Sequence, residues 1–313
     1  MTTSGVAGGI IFSHARAAEP CPPPLVSVAG GNTASTVCPV VSALPTWVPA
    51  PGTFANISQN SMSDVDPCPA GGCAYSGASR QEAVFIVWNG GVYAPDYSPL
   101  GALICHGGGH GGYGGNEVYA FDLSTRTWKR IGSPSLYSET QIDSNGEYPD
   151  GQPFPPHTYA GVAYISPANG GGSKGSLLRV GFAGASANQW AHRMPLTTGA
   201  DTRGGWSRFV NLGAVLSGSY WAVAFDPTRN RFWVLSSLNS WAAGFGYVNA
   251  DGTVVKLSSQ GSNVDATHVL AYCPKNDMLV QFARAASTLR LFGRLCNGTS
   301  AFAQLNVAGT GPV

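Results

Sequence analysis

Between Gly101 and Ile131 the chain reads GALICHGGGHGGYGGNEVYAFDLSTRTWKRI, and this stretch limits the possible fold more than any other. An apolar run, Leu103 to Cys105, enters a glycine cluster, and a polar-apolar alternating segment follows from Asn116 to Leu123. After a turn at Ser124-Thr125 comes another strand, centred on Trp128. Period-two alternation marks a strand with one buried face, and dense glycine breaks helices. Short strands joined by tight turns predict an antiparallel sheet.

The same order of strands and turns recurs along the chain, as a repeat architecture requires. A first blade is expected over about 80–132, opening with a strand from Glu82 to Trp88 and a turn at Asn89-Gly90-Gly91. A second, over 157–212, opens at His157 to Tyr164, turns at Asn169 to Gly172, continues through Leu177 to Gly184 and closes on Trp206 to Phe209. The third, over 219–258, runs from Tyr220 to Phe225, through the turn Asp226 to Asn230, to Phe232–Leu235. Its last hairpin carries Asp251-Gly252, a strong type I′ turn signal. The fourth, over 266–308, opens at His268 to Tyr272 and continues through Met278 to Phe282, Leu289 to Leu295 and Phe302 to Val307. Phe225-Asp-Pro-x-x-Asn in the third and Tyr272-Cys-Pro-x-Asn in the fourth are one device repeated.

Composition agrees with this pattern. Charged residues make up 11% of the chain, against roughly 25% in an average soluble domain. The 313 residues include 42 glycines and 22 prolines, which suits many short strands rather than helices. A net charge of +1 with dispersed signs offers no basic stripe for a nucleic acid. The longest apolar runs, such as Gly161 to Ile165 and Leu177 to Phe182, are far shorter than the roughly 20 residues of a membrane-spanning helix. Ala15-Arg16-Ala17 has the form of a small-x-small cleavage site, but no Lys or Arg precedes the weak apolar stretch Val6 to Phe12, so no cleaved leader is expected.

The first blade resembles the kelch family. Gly107-Gly108-Gly109 matches that family's strand-ending diglycine, Tyr119 and Trp128 match its spaced Tyr and Trp, and Asp122 matches its acidic turn residue. The resemblance implies an all-β fold, a kelch-like β-propeller of four to five blades, each a four-stranded antiparallel sheet. Residues 1–45 are then an N-terminal extension and 46–313 the propeller, with 25–57 contributing to a closing blade through strands at Leu25 to Ala29 and Thr46-Trp47-Val48. Short propellers of this galactose-oxidase-like type are encoded by bacteriophages, and this chain is similar to them in its few charges and its richness in Gly, Ser and Thr.

Candidate chemistry is sparse. His106 and His110 flank the glycine cluster beside Cys105, which invites a metal reading. Alternation, however, points Cys105 and His106 to opposite faces. Galactose oxidase holds copper with two Tyr and two His, but this chain has no adjacent Tyr-His pair to match, and no cofactor is expected. There is no His-Glu-x-x-His and no P-loop lysine. Asp143, Glu147 and Asp150 read as a solvated turn. Among the seven cysteines, Cys68 and Cys73, separated by Pro-Ala-Gly-Gly, are the best candidates for a local disulfide or a shared metal, while Cys105, Cys273 and Cys296 read as buried thiols.

Aromatic and imidazole groups near strand ends and loops are the remaining binding candidates: Tyr113, His157, Trp190, His192, Tyr220, Trp221, Trp241 and His268. Inter-blade packing explains such residues equally well. The expectation is therefore a non-enzymatic structural or binding propeller of a virion, a decoration, tail or receptor-binding part. Its partners would be other virion proteins or a host-surface glycan, within a larger symmetric assembly. The alternative is a secreted or periplasmic bacterial propeller that binds or processes carbohydrate.

Overall fold

Gly90 to Gly132 folds as four antiparallel strands, β1 (Gly90–Ala94), β2 (Ala102–His106), β3 (Val118–Asp122) and β4 (Thr127–Gly132), hydrogen-bonded in that order. The computed structural model describes residues 45–50, 52–66, 84, 89–107, 113–137, 141–155, 158, 160–180, 190–197, 205–213, 220–238, 241–257, 269–285, 288–296 and 302–305. Three more sheets repeat the arrangement. They are β5 (Val162–Ile165), β6 (Ser176–Val180), β7 (Trp190–Pro195) and β8 (Ser207–Asn211); β9 (Tyr220–Asp226), β10 (Arg231–Leu238), β11 (Trp241–Asn249) and β12 (Val254–Leu257); and β13 (Val269–Cys273), β14 (Met278–Ala285), β15 (Thr288–Leu295) and β16 (Ala303–Gln304). The four sheets stand in a ring, a four-bladed β-propeller.

The chain divides into two units, residues 1–57 and 58–313, and the described strands all lie in the second. In the first, Thr46-Trp47-Val48 forms a turn closed by Val48 N–H on the Pro45 carbonyl at 2.9 Å, not the expected strand. Prolines at 45 and 49 bracket this tripeptide and cannot donate to a ladder, which favours the turn. Leu25 to Ala29 lies outside the described residues.

The three spaces between consecutive blades are each filled by a separate apolar cluster. Ile104, Val118 and Ile131 of the first blade meet Leu177 and Met194 of the second. Leu178, Val180 and Ala191 meet Trp221, Phe232 and Val248 of the third. Trp233 and Phe245 stack at 5.6 Å and meet Leu270 and Leu279 of the fourth. On the far face of the first blade, Cys105, Tyr113 and Tyr119 pack with Val84, Met62 and Val65. Residues 59–65 run along the outer strand β4, where Asn60 accepts from Trp128 N–H at 2.7 Å and donates back to its carbonyl at 3.1 Å. An exposed sheet edge is blunted in this way.

The first strand corrects the sequence reading: Gly90 and Gly91 belong to β1 itself, not to a turn before it. A Cβ on Gly91 would sit 3.2 Å from Cys105 Sγ and from the Ile104 carbonyl, so glycine here serves close strand approach. Of Glu82 to Trp88, only Val84 is described, buried and outside any strand.

The turn device seen in the third and fourth blades also opens the second. Pro167, Pro227 and Pro274 are each followed three residues later by a left-handed residue, Gly170 (φ 84), Asn230 (φ 47) and Asp277 (φ 46). Contacts run between successive blades at this end. Tyr164 OH donates to Asp96 at 2.7 Å, Asn169 donates to the Pro227 carbonyl at 3.1 Å, and Arg229 pairs with Asp277 at 2.6 and 2.5 Å.

Candidate functional site

Strand register puts the sequence candidates at the opposite end of the ring. Gly90 pairs with His106, His106 with Val118, and Val118 with Gly132, so the glycine-rich β2–β3 loop and the blade-to-blade connectors share one end. Trp190 opens β7, Tyr220 opens β9 and Trp241 opens β11, all at that same end. His110, His157, His268, Cys68 and Cys73 fall outside the described residues.

Three of the candidates are inside the fold. Trp221 is 2% exposed in the core between the second and third blades. Tyr113 is fully enclosed and donates to Glu117 Oε1. His192 lies on the face of β7 that looks toward the first blade, buried at 1%. Trp190 is half-buried, with the Arg208 guanidinium 5.2 Å from its ring centre and its Nε1–H on Asn145 Oδ1 at 3.3 Å.

At this end a charged network includes the sequence candidate His192 and adjoins His106. The connector between the first two blades carries Glu147 into the protein, where it is 4% exposed, not solvated as its acidic turn suggested. Glu147 Oε1 accepts from His192 Nε2–H at 2.8 Å, and Arg208 donates to both carboxylate oxygens at 2.6 Å. Arg179 Nη1 donates to His192 Nδ1 at 3.2 Å, and Nη2 donates to the Phe154 carbonyl at 2.7 Å. The connector is tied to the first blade as well, by Tyr148 OH on the Gly114 carbonyl at 2.6 Å and Asn116 Nδ2 on the Pro153 carbonyl at 2.9 Å. One segment thereby clasps two blades.

Burial governs the ionisation of these groups. It pushes the His106 imidazole down to about 3, with the nearby Arg179 charge acting the same way. Burial also lowers His192, against the pull of Glu147. Arg179 falls to about 9, again through burial, with Glu147 opposing. For Glu147 burial acts upward, but the hydrogen bonds from His192 and Arg208 outweigh it and hold the carboxyl at about 2. Glu147 is therefore an anion and both histidines are neutral near pH 7.

This geometry limits the chemistry. A neutral His192 that accepts at Nδ1 and donates at Nε2 has no lone pair left for a substrate proton, so it cannot act as a general base. Cys105 and His106 do point to opposite faces: Cys105 packs with Tyr119 on the far side of the blade, and burial pushes its thiol up to about 12. His106 lies against Trp206 at 4.9 Å on the other side. Among the described residues no cluster of three or more His, Cys, Asp or Glu is placed to hold a metal ion. A second buried carboxyl, Glu117, accepts from both Tyr113 and Tyr119, and burial raises its pKa despite them.

Arg179 was missed although it interrupts the apolar run Leu177-Leu178-Arg179-Val180, and a charge inside such a run was the available signal. Arg208 and Glu147 carry no comparable mark in the sequence.

No family model matches the chain, and no curated protein matches it. Among solved structures it is similar to the crystal structure of TolB from Acinetobacter baumannii, at 15% identity and a TM-score of 0.36 over 70% of this chain. The match spans 44% of the TolB chain. Among the described residues no helix is long and apolar enough to cross a membrane.

Proposed function

We propose that this chain is a non-enzymatic, kelch-like binding and structural propeller that serves as a component of a bacteriophage particle. One observation carries the non-enzymatic reading. The charged groups at the loop-bearing end bond to one another and clasp a connector, while Trp190, Tyr220 and Trp241 open strands at the same end. A scaffold that spends its ionisable groups on holding blades together, with aromatic residues opening strands at its loop-bearing end, suits recognition better than turnover. The virion assignment rests on the resemblance of Gly107-Gly108-Gly109, Tyr119 and Trp128 to the kelch pattern and on the low charge content.

Mass spectrometry of density-purified phage particles from a lysate encoding this chain is the test. The expected result is its peptides in fixed ratio to the capsid and tail proteins. Recovery only as free protein in the medium of uninfected bacteria would refute it.

A carbohydrate-binding reading has one observation in its favour, the half-buried Trp190 edged by Asn145 and Arg208. Binding to purified cell-surface polysaccharide that Trp190→Ala weakens at least tenfold would support it, and equal binding by both proteins would not.

A further inference from the structure

Two atoms in the network just described have no hydrogen-bond partner although both are enclosed: His106 Nε2 and Arg179 Nε. Their side chains are 0% and 1% exposed. Strand alternation puts them in the same layer. Ile104, two residues before His106, and Leu177, two residues before Arg179, both belong to the apolar cluster between the first and second blades. His106 and Arg179 therefore lie in the next layer of the same inter-blade space, toward the loop-bearing end. Arg179 is near enough for its charge to oppose protonation of His106.

The hydrogen-bond roles of the two atoms are fixed by their neighbours. His106 Nδ1 lies 3.1 Å from the Glu117 carbonyl, which only accepts, so the proton of the neutral ring is on Nδ1 and Nε2 carries a lone pair. Arg179 Nε carries a hydrogen. The layer therefore presents one orphan acceptor and one orphan donor, and leaving either buried and unmade costs roughly 1–3 kcal/mol. A halide or carboxylate could accept from Arg179 but would meet the His106 lone pair head on. A metal cation could take that lone pair but would be repelled by the guanidinium. A neutral molecule with both a donor and an acceptor fits both atoms.

We propose that one internal water occupies this inter-blade layer, donating to His106 Nε2 and accepting from Arg179 Nε. The water completes a continuous hydrogen-bonded chain. It runs from the Glu117 carbonyl through His106, the water, Arg179 and His192 to Glu147 and Arg208. It thus links the glycine-rich loop of the first blade to the connector that clasps the second. The water is expected whether or not the propeller has a partner, because His106 and Arg179, which would hold it, are both enclosed.

An atomic-resolution crystal structure of the full chain is the direct test. The expected result is one ordered water within roughly 2.7–3.2 Å of both atoms. Oxygen-17 relaxation dispersion on the same protein should count one fewer long-lived water in His106→Leu than in wild type, with Trp190→Ala unchanged. Direct contact between the two side chains, an empty layer, or a halide revealed by anomalous scattering after a bromide soak would each overturn the proposal. The wild-type map decides the matter even if His106→Leu does not fold.

Discussion

Glu147 is the residue on which the loop-bearing end depends, because one carboxylate serves His192 and Arg208 together. Glu147→Ala leaves His192 Nε2–H buried without an acceptor, and the expected loss is about 1–3 kcal/mol of unfolding free energy, measured by urea titration. Glu147→Gln, which keeps an acceptor, should lose less. The histidines set a pH dependence with a definite sign. Both are held below their ordinary value in the fold, so the unfolded chain takes up protons that the folded chain refuses. Stability is therefore full above about pH 6.5. It falls as pH drops toward 3, by up to about 1.4 kcal/mol per pH unit for each histidine that stays neutral. Below about pH 4.5 Glu147, held at about 2, adds to the loss. Glu117, whose carboxyl burial raises, acts the other way over this range, so in a Glu117→Gln background a melting temperature that stays flat between pH 7 and pH 4.5 would contradict this account. Beyond His106, His192 and the charge of Arg179, little of this was legible in the sequence, because Glu147 sits in a stretch whose Asp, Asn and Gly read as a solvated turn. Only tertiary packing brings Arg208 and His192 to it.

Blades, unlike sites, were readable from the chain. Alternation and glycine-rich turns located all four sheets, and the start of the Gly101–Ile131 stretch fell on β2 as expected. The misreadings have distinct physical causes. Gly90-Gly91 reads as a turn because glycine is usually a breaker, yet here it is a strand residue chosen for close approach to Cys105. Strand β7 escaped notice because Trp190, His192 and Met194 alternate with small and charged residues in a way that resembles a binding loop. Gly246 in β11 repeats the lesson, since a Cβ there would sit 2.2 Å from the Val255 carbonyl of the paired strand. Gly246→Ala should cost about 1–3 kcal/mol through strand displacement, seen as a lowered denaturation midpoint. Trp233 anchors the seam between the third and fourth blades, fully buried, with Phe245 stacked on it and Tyr247 edge-on at 5.2 Å. Trp233→Ala should cost about 3–5 kcal/mol, and hydrogen exchange should show β10 and β13 loosening together. Equal protection in mutant and wild type would mean the seam is not held there.

At the scale of the whole molecule, the two ends of the ring differ in kind. One end is closed by short proline turns that contact one another from blade to blade, through Asp96–Tyr164, Asn169–Pro227 and Arg229–Asp277. The other carries the long connector, the glycine-rich loop and the strand-opening aromatics Trp190, Tyr220 and Trp241. A base stitched from blade to blade and a face built of loops are consistent with the proposed role of a part held in place that recognises a partner. The proposed role, a non-enzymatic propeller built into a phage particle, is tested most directly by electron cryomicroscopy of the intact virion. The account predicts four-bladed discs at repeated, symmetry-related positions, with the end that bears Trp190, Tyr220 and Trp241 turned toward a neighbouring protein or outward to a host glycan. Particles with no such disc, together with a free monomer that turns over a substrate, would contradict it.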